Sequence, residues 1–169
     1  MRHLPEARVP PPRGPVSASL FRYLLDLELE RANRLRYCVS LVCLTPDLED
    51  SEDDLGLTRT IARAALRQLR RTDLGTTLSR SVVGLLLVDT DPRMLAQILD
   101  RAANASVPEG RRFVRGRQVV SVSVGASCYP ITAPDRVTLL HEASQLMQRA
   151  RREGGDRLIL PPLPVSIEN

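Results

Sequence analysis

"RRTDLGTTLSRSVVGLLLVDT", residues 70–90, is the stretch whose reading decides the fold of this 169-residue chain. Residues 74–80 and 82–89 read as two strands of a hairpin, the second being the apolar run "VVGLLLVD". Ser79-Arg80-Ser81 form a polar tip between them, and an Arg-rich helix end leads into the first strand. The tip carries no carboxylate.

Periodicity extends the pattern on both sides of the hairpin. "SASLFRYLLDLELERANRLR", 17–36, places Leu20, Leu24, Leu25, Leu29 and Ala32 at helical spacing, with Ser17 or Ser19 as cap. Such a leading helix packs on its own domain or pairs with a second copy. "YCVSLVCL", 37–44, is a β-branched apolar run and reads as a buried strand. "TPDLEDSEDDLG", 45–56, reads as an acidic loop, and "LTRTIARAALRQLRR", 57–71, as a helix. That helix lines Leu57, Ile61, Ala65 and Leu69 on one face and Arg59, Arg63 and Arg67 on another, an Arg stripe expected to face solvent. Downstream, Asp91 and Pro92 open another helix. "RQVVSVSVGASCYP", 117–130, alternates as a strand, residues 135–155 form a helix stopped by Gly154-Gly155, and "DRLIL" closes the order as a last strand.

Helices alternating with a hairpin-containing sheet predict an α/β fold, a central, mostly antiparallel sheet of about five strands flanked by helices. Residues 1–16 hold five of the 13 prolines and read as a flexible or polyproline-like arm in which His3 is a solvated tail residue. Residues 17–160 then form one domain, with 161–169 as a C-terminal tail.

Composition narrows the function. Apolar residues make up 43% of the chain, enough for a core, but Trp is absent and the core must be built of Leu, Val, Ile and Ala. Lys is absent too, so all 24 basic residues are Arg, and the net charge of +4 makes no case for a nucleic-acid partner. Cys38, Cys43 and Cys128 lack zinc-ligand spacing and read as buried, reduced thiols, which suits a cytoplasmic protein. No apolar run is long enough for membrane insertion.

The order of elements, with three strings in sequence, resembles the GGDEF domain of the diguanylate cyclases. "VVSVSVGASCYP" is similar to that family's Ser-hydrophobic-Gly strand, "LLHEASQLMQRARREGGDRLIL" to its last helix, and the hairpin of 74–89 to the one that names the family. The resemblance covers about residues 19–160 and implies a nucleotidyl-cyclase, ferredoxin-like palm. It also implies where chemistry belongs. Active members hold metal ions with an Asp at the end of the first strand and an acidic residue in the hairpin tip, since hard cations need oxygen ligands. On those positions this chain has Thr45 and Ser81, and the five signature residues fall on Ser79, Arg80, Ser81, Val82 and Val83. The guanine-reading segment is replaced by the acidic loop, and a Lys and an Arg near the last helix end are Arg151 and Gly155. Asp47 and Asp89 remain as isolated carboxylates. The expectation is a pseudoenzyme with no catalytic residues, no metal and no cofactor.

A second family site binds the product through an Arg-x-x-Asp element five residues before the signature. Here Arg70-Arg71-Thr72-Asp73 stands at that spacing, and Arg101 in "ILDRAA" falls where a further Arg often completes the site. Arg can donate to the O6/N7 edge of guanine and stack on its plane, while Asp accepts from the guanine N1–H and amino group. The resemblance thus implies a cyclic di-GMP receptor acting through Arg70, Asp73 and Arg101, with Arg71 and Arg80 as possible additional contacts and a homodimer or a partner protein as the responding state. Two readings stand beside it. Arg70 and Asp73 can merely cap the helix and orient the turn, leaving a protein-interaction scaffold that binds no nucleotide. Residual enzyme activity is the third.

Overall fold

The computed structural model describes residues 13–48, 54–107, 113–114 and 117–163. The chain runs α1 (Ala18–Leu35), β1 (Val39–Leu48), α2 (Leu55–Leu66), β2 (Leu74–Thr77), β3 (Val83–Val88), α3 (Pro92–Ser106), β4 (Phe113–Val114), β5 (Arg117–Tyr129), α4 (Arg136–Arg152) and β6 (Arg157–Ile159). The strands form one six-stranded sheet in the order β2-β3-β1-β5-β4, with β6 added to β5. All pairings between strands are antiparallel except the parallel one between β5 and β6.

Strand periodicity divides the core in two. Val42 and Leu44 of β1, Leu85 and Leu87 of β3 and Val124 and Ala126 of β5 face α2 and α3. Val39, Leu41 and Cys43 of β1 and Leu86 of β3 face α1 and α4 on the other side. Gly125 lets α4 lie flush on β5, because a Cβ there would stand 2.1 Å from the Met147 nitrogen and 2.3 Å from the Ala143 carbonyl oxygen. Caps fix the helix starts: Ser17 for α1, Asp54 for α2, Asp91 for α3 and Asp135 for α4 each accept from a backbone N–H of the first turn. Gly154 and Gly155, at φ 110° and 73°, turn the chain out of α4.

Four expectations need correction. The inward face of α1 is Phe21, Leu25, Glu28, Leu29 and Ala32, while Leu20 points outward at 45% exposure. β1 continues through Thr45, Pro46, Asp47 and Leu48, residues read as loop. Beyond Leu44, β1 pairs among the described residues with β5 alone, and a strand with one open side tolerates a residue that lacks an N–H. α2 stops at Leu66, so Arg70 and Arg71 lie in the turn that follows. Finally, the arm is anchored at its inner end. Val16 bridges Thr76 in parallel register, its N–H donating to the Gly75 carbonyl at 2.8 Å and its carbonyl accepting from the Thr76 hydroxyl at 2.8 Å. His3 lies outside the described residues.

Cys43 and Cys128 are buried and Cys38 is half-buried, all as free thiols. Burial pushes the Cys43 and Cys128 thiols up to about 12, which leaves them protonated and inert. Among the described residues no helix is long and apolar enough to cross a membrane.

Candidate functional site

Two groups of residues singled out in the sequence lie at opposite ends of the sheet. β2 runs from just after Asp73 toward the hairpin tip at Ser79, six residues and roughly 20 Å of extended chain away.

At the tip, the Leu78 N–H donates to the Val82 carbonyl at 2.8 Å and the Ser81 N–H donates to the Ser79 hydroxyl at 3.3 Å. The Arg80 carbonyl accepts from Thr58 Oγ1 of α2 at 2.7 Å, which ties the tip to that helix, while the Arg80 side chain is exposed. Thr45 is buried at 1% exposure, and its Oγ1 has no hydrogen-bond partner among the described residues. Two residues on, Asp47 is held by its own scaffold. Its Oδ2 accepts from Ser121 Oγ at 2.6 Å and from the Asp156 N–H at 3.1 Å, and its Oδ1 accepts from Ser123 Oγ at 2.8 Å. Gly155 makes room for this carboxylate, since a Cβ there would meet Asp47 Oδ2 at 2.8 Å. Asp89 is exposed in the turn after β3, at the far end of the sheet from the tip. Among the described residues no group of three or more His, Cys, Asp or Glu side chains comes together to hold a metal ion.

At the opposite end, Arg70, Asp73 and Arg101 line one hollow of about 120 Å³, together with Thr90, Met94 and Gln97. The post-α2 turn supplies Arg70 and Asp73, and α3, which packs beside α2, supplies Arg101. Arg71 and Arg80 do not line it. Arg70 and Arg101 are exposed, whereas Asp73 is only 3% exposed. The Asp73 carboxylate closes the turn: Oδ2 accepts from the Arg70 N–H at 2.8 Å and Oδ1 from the Val88 N–H at 3.1 Å. Burial raises its pKa above the ordinary 3.8, against the lowering pull of those two N–H groups and of the Arg70 and Arg13 charges. Each carboxylate oxygen keeps a second lone pair for a further donor. The hollow is smaller than the ~300–1,000 Å³ of pockets that enclose a whole small ligand, so a ligand of that size would lie across its mouth.

One contributor had no signal in the sequence. Arg13, in the arm, donates from Nη1 to the Arg70 carbonyl at 2.6 Å and from Nη2 to the Asp73 carbonyl. It stands 57 residues before Arg70, in a Pro-rich segment with no periodicity.

No protein-family model matches the chain, and no curated protein matches it by sequence. Solved structures do. The GGDEF domain of YfiN from Pseudomonas aeruginosa superposes with a TM-score of 0.76 at 26% identity, over 88% of this chain and 98% of that one. The diguanylate cyclase SiaD from the same organism, solved with its activator SiaC, gives 0.73 at 23% identity. The match covers 86% of this chain and 58% of SiaD, so the chain spans less than two thirds of that cyclase. The GGDEF domain of DgcB from Caulobacter crescentus, in complex with c-di-GMP, gives 0.70 at 14% identity over 86% of this chain and 91% of its own.

Proposed function

Proceeding from the GGDEF-domain fold, we propose that this domain is a cyclic di-GMP receptor that does not make the molecule. The observation that carries the reading is the meeting of Arg70, Asp73 and Arg101 at one hollow, from two elements that the sequence separates by about thirty residues. Two exposed guanidinium groups flank it, free to meet a phosphate or the O6/N7 edge of a guanine. Asp73 has lone pairs left for the guanine N1–H and amino group. The ligand lies on an open surface, which leaves its other face for a second base or a second protomer.

Loss of cyclisation is supported by the tip. Joining two nucleotides needs metal ions to neutralise the phosphates and activate a hydroxyl. Thr45 and Ser81 offer neutral hydroxyls at the two positions where the resemblance calls for carboxylates, and the nearby Asp47 is committed to Ser121, Ser123 and the Asp156 N–H. Restoring the metal ligands alone would take substitutions at both positions, and the guanine-reading segment, Arg151 and Gly155 would still depart from the family pattern.

Calorimetric titration of cyclic di-GMP into the wild-type chain and into an Arg70→Ala/Arg101→Ala variant tests the reading. Both replaced side chains are exposed, so the variant keeps its fold. Micromolar or tighter binding, lost in the variant, is expected. No heat from the folded wild type refutes the receptor, and turnover of GTP with Mg²⁺ refutes the loss of catalysis. A null titration would favour an interaction scaffold, for which α1 offers Leu20, Tyr23, Leu27 and Leu35 at 40–61% exposure.

A further inference from the structure

The arm touches the candidate site from behind. The guanidinium of Arg13 spreads over three carbonyls of one turn: Nη1 donates to Arg70 at 2.6 Å and to Leu69 at 3.5 Å, and Nη2 donates to Asp73. α2 ends at Leu66, so these carbonyls lie just past a helix C-terminus, where outward-pointing oxygens concentrate negative charge. Left bare, they would repel a phosphate arriving at Arg70. A planar fork with five donors can satisfy several acceptors at once, which an ammonium cannot do with the same geometry. Three residues on, Val16 fastens the arm a second time, with its N–H on Gly75 and its carbonyl on the Thr76 hydroxyl. The first attachment includes Asp73, the residue whose carboxylate closes the turn on Arg70 and Val88, and the second begins two residues beyond it. Arg13 is therefore a positioning residue: it touches the main-chain frame that holds Arg70 and Asp73 and not their side chains.

We infer that the inner end of the arm, residues 13–16, is a working part of the ligand site, and that docking of Arg13 on the turn and binding of the anionic ligand reinforce each other. The inference rests on the cyclic di-GMP reading above and adds to it a route by which binding reaches the N-terminal end of the domain. Coupling of this kind is reciprocal: if the docked arm favours the ligand by a given factor, the bound ligand favours the docked arm by the same factor. The Val16 amide, which donates to Gly75 across the arm–β2 bridge, reports arm docking through its hydrogen exchange.

The experiment pairs two readouts on the full chain: affinity for cyclic di-GMP by calorimetry, and exchange of the Val16 and Arg70 amides with and without saturating ligand. Arg13→Ala should bind roughly tenfold more weakly and Arg13→Lys should fall between it and wild type. Saturating ligand should slow Val16 exchange about tenfold in the wild type and leave it unchanged in Arg13→Ala. A residue that only stabilised the fold would not produce that ligand-dependent change. Wild-type affinity in Arg13→Ala, or Val16 exchange indifferent to ligand in the wild type, overturns the coupling while the receptor reading survives. A wild type that binds no cyclic di-GMP removes the receptor and the coupling together. In that case the docking itself is judged without ligand: Arg13→Ala must speed exchange at Val16 and Arg70 and spare the centre of β1 and β5, and unchanged exchange at Arg70 refutes it.

Discussion

Replacing Asp73 separates the turn it holds from the ligand contact proposed for it. Asp73→Ala strands two backbone donors, the N–H groups of Arg70 and Val88, that now give to the carboxylate at 2.8 and 3.1 Å. Leaving a buried donor unpaired costs about 1–3 kcal/mol. Both sites are only partly buried, which puts each near the lower half of that range and the pair at about 2–4 kcal/mol. For a domain of this size that is a fall in melting temperature of roughly 4–16 °C. Asp73→Asn keeps one carbonyl oxygen and one cap, and it removes the cost of burying a charge, so its loss should stay below about 1.5 kcal/mol. Urea titration followed by circular dichroism measures both, with equal slopes as the check that only stability has changed. If Asp73→Ala is as stable as wild type, or if Asp73→Asn is as damaging as Asp73→Ala, the capping argument is wrong. Asp73→Asn is then the variant with which to ask whether the carboxylate also meets guanine, because it changes the chemistry with little change of frame.

Other outcomes follow from the same contacts. Thr45→Val should raise stability by about 1 kcal/mol, because the Thr45 hydroxyl is buried with no partner among the described residues, and a loss in urea titration would mean that it has one. Gly125→Ala drives a methyl group into the backbone of α4 and should cost at least about 3 kcal/mol, read by thermal unfolding. The pH dependence of Asp73 runs against that of most carboxylates. Burial raises its pKa above 3.8, so the folded chain holds the proton more tightly than the unfolded one. The stability it contributes is complete below 3.8 and is lost as pH rises through the raised value. The stability of wild type minus that of Asp73→Asn should therefore fall as pH rises above 3.8, and a rise would contradict the raised pKa. Asp135 behaves oppositely: the Thr138 N–H at the start of α4 lowers its pKa, so its contribution is lost as pH falls. Asp135→Ala should lose stability at neutral pH, and in parallel urea titrations that loss should shrink on acidification.

Period and punctuation made the elements legible. β3 and β5 could be placed because an apolar run and a strict Val-Ser alternation admit few other structures, and α4 because two glycines end it. Boundaries failed where two signals competed. Leu20, Leu24 and Leu27 offer as good a stripe along α1 as Phe21, Leu25 and Leu29, and only packing against α4 and the sheet selects the second. Proline and acidic residues disguised the last turn-like part of β1, which survives because β5 pairs along its full length. The Arg-rich end of α2 reads as helix because arginine is a good helix former, yet Asp73 folds that segment into a turn by capping Arg70. The meeting of Arg70 and Arg101 could be anticipated only through the family resemblance, since nothing local says that α3 lies beside α2. Arg13 could not be anticipated at all, because its partners are main-chain carbonyls that any sequence would supply.

The lengths of the strands bear on how the protein survives at high concentration. The two long strands, β1 with ten residues and β5 with thirteen, lie inside the sheet, and the strands at its margins have only four, two and three. An unpaired strand margin is a template on which another chain can add itself, and short margins make poor templates. The four-residue margin is further covered where Val16 lies against it. Among the described residues the end of β1 beyond Leu44 is open on one side, and Pro46 sits in it without the N–H that an incoming strand would need. The same proline that hid this strand from a reading of the sequence thus guards it against aggregation.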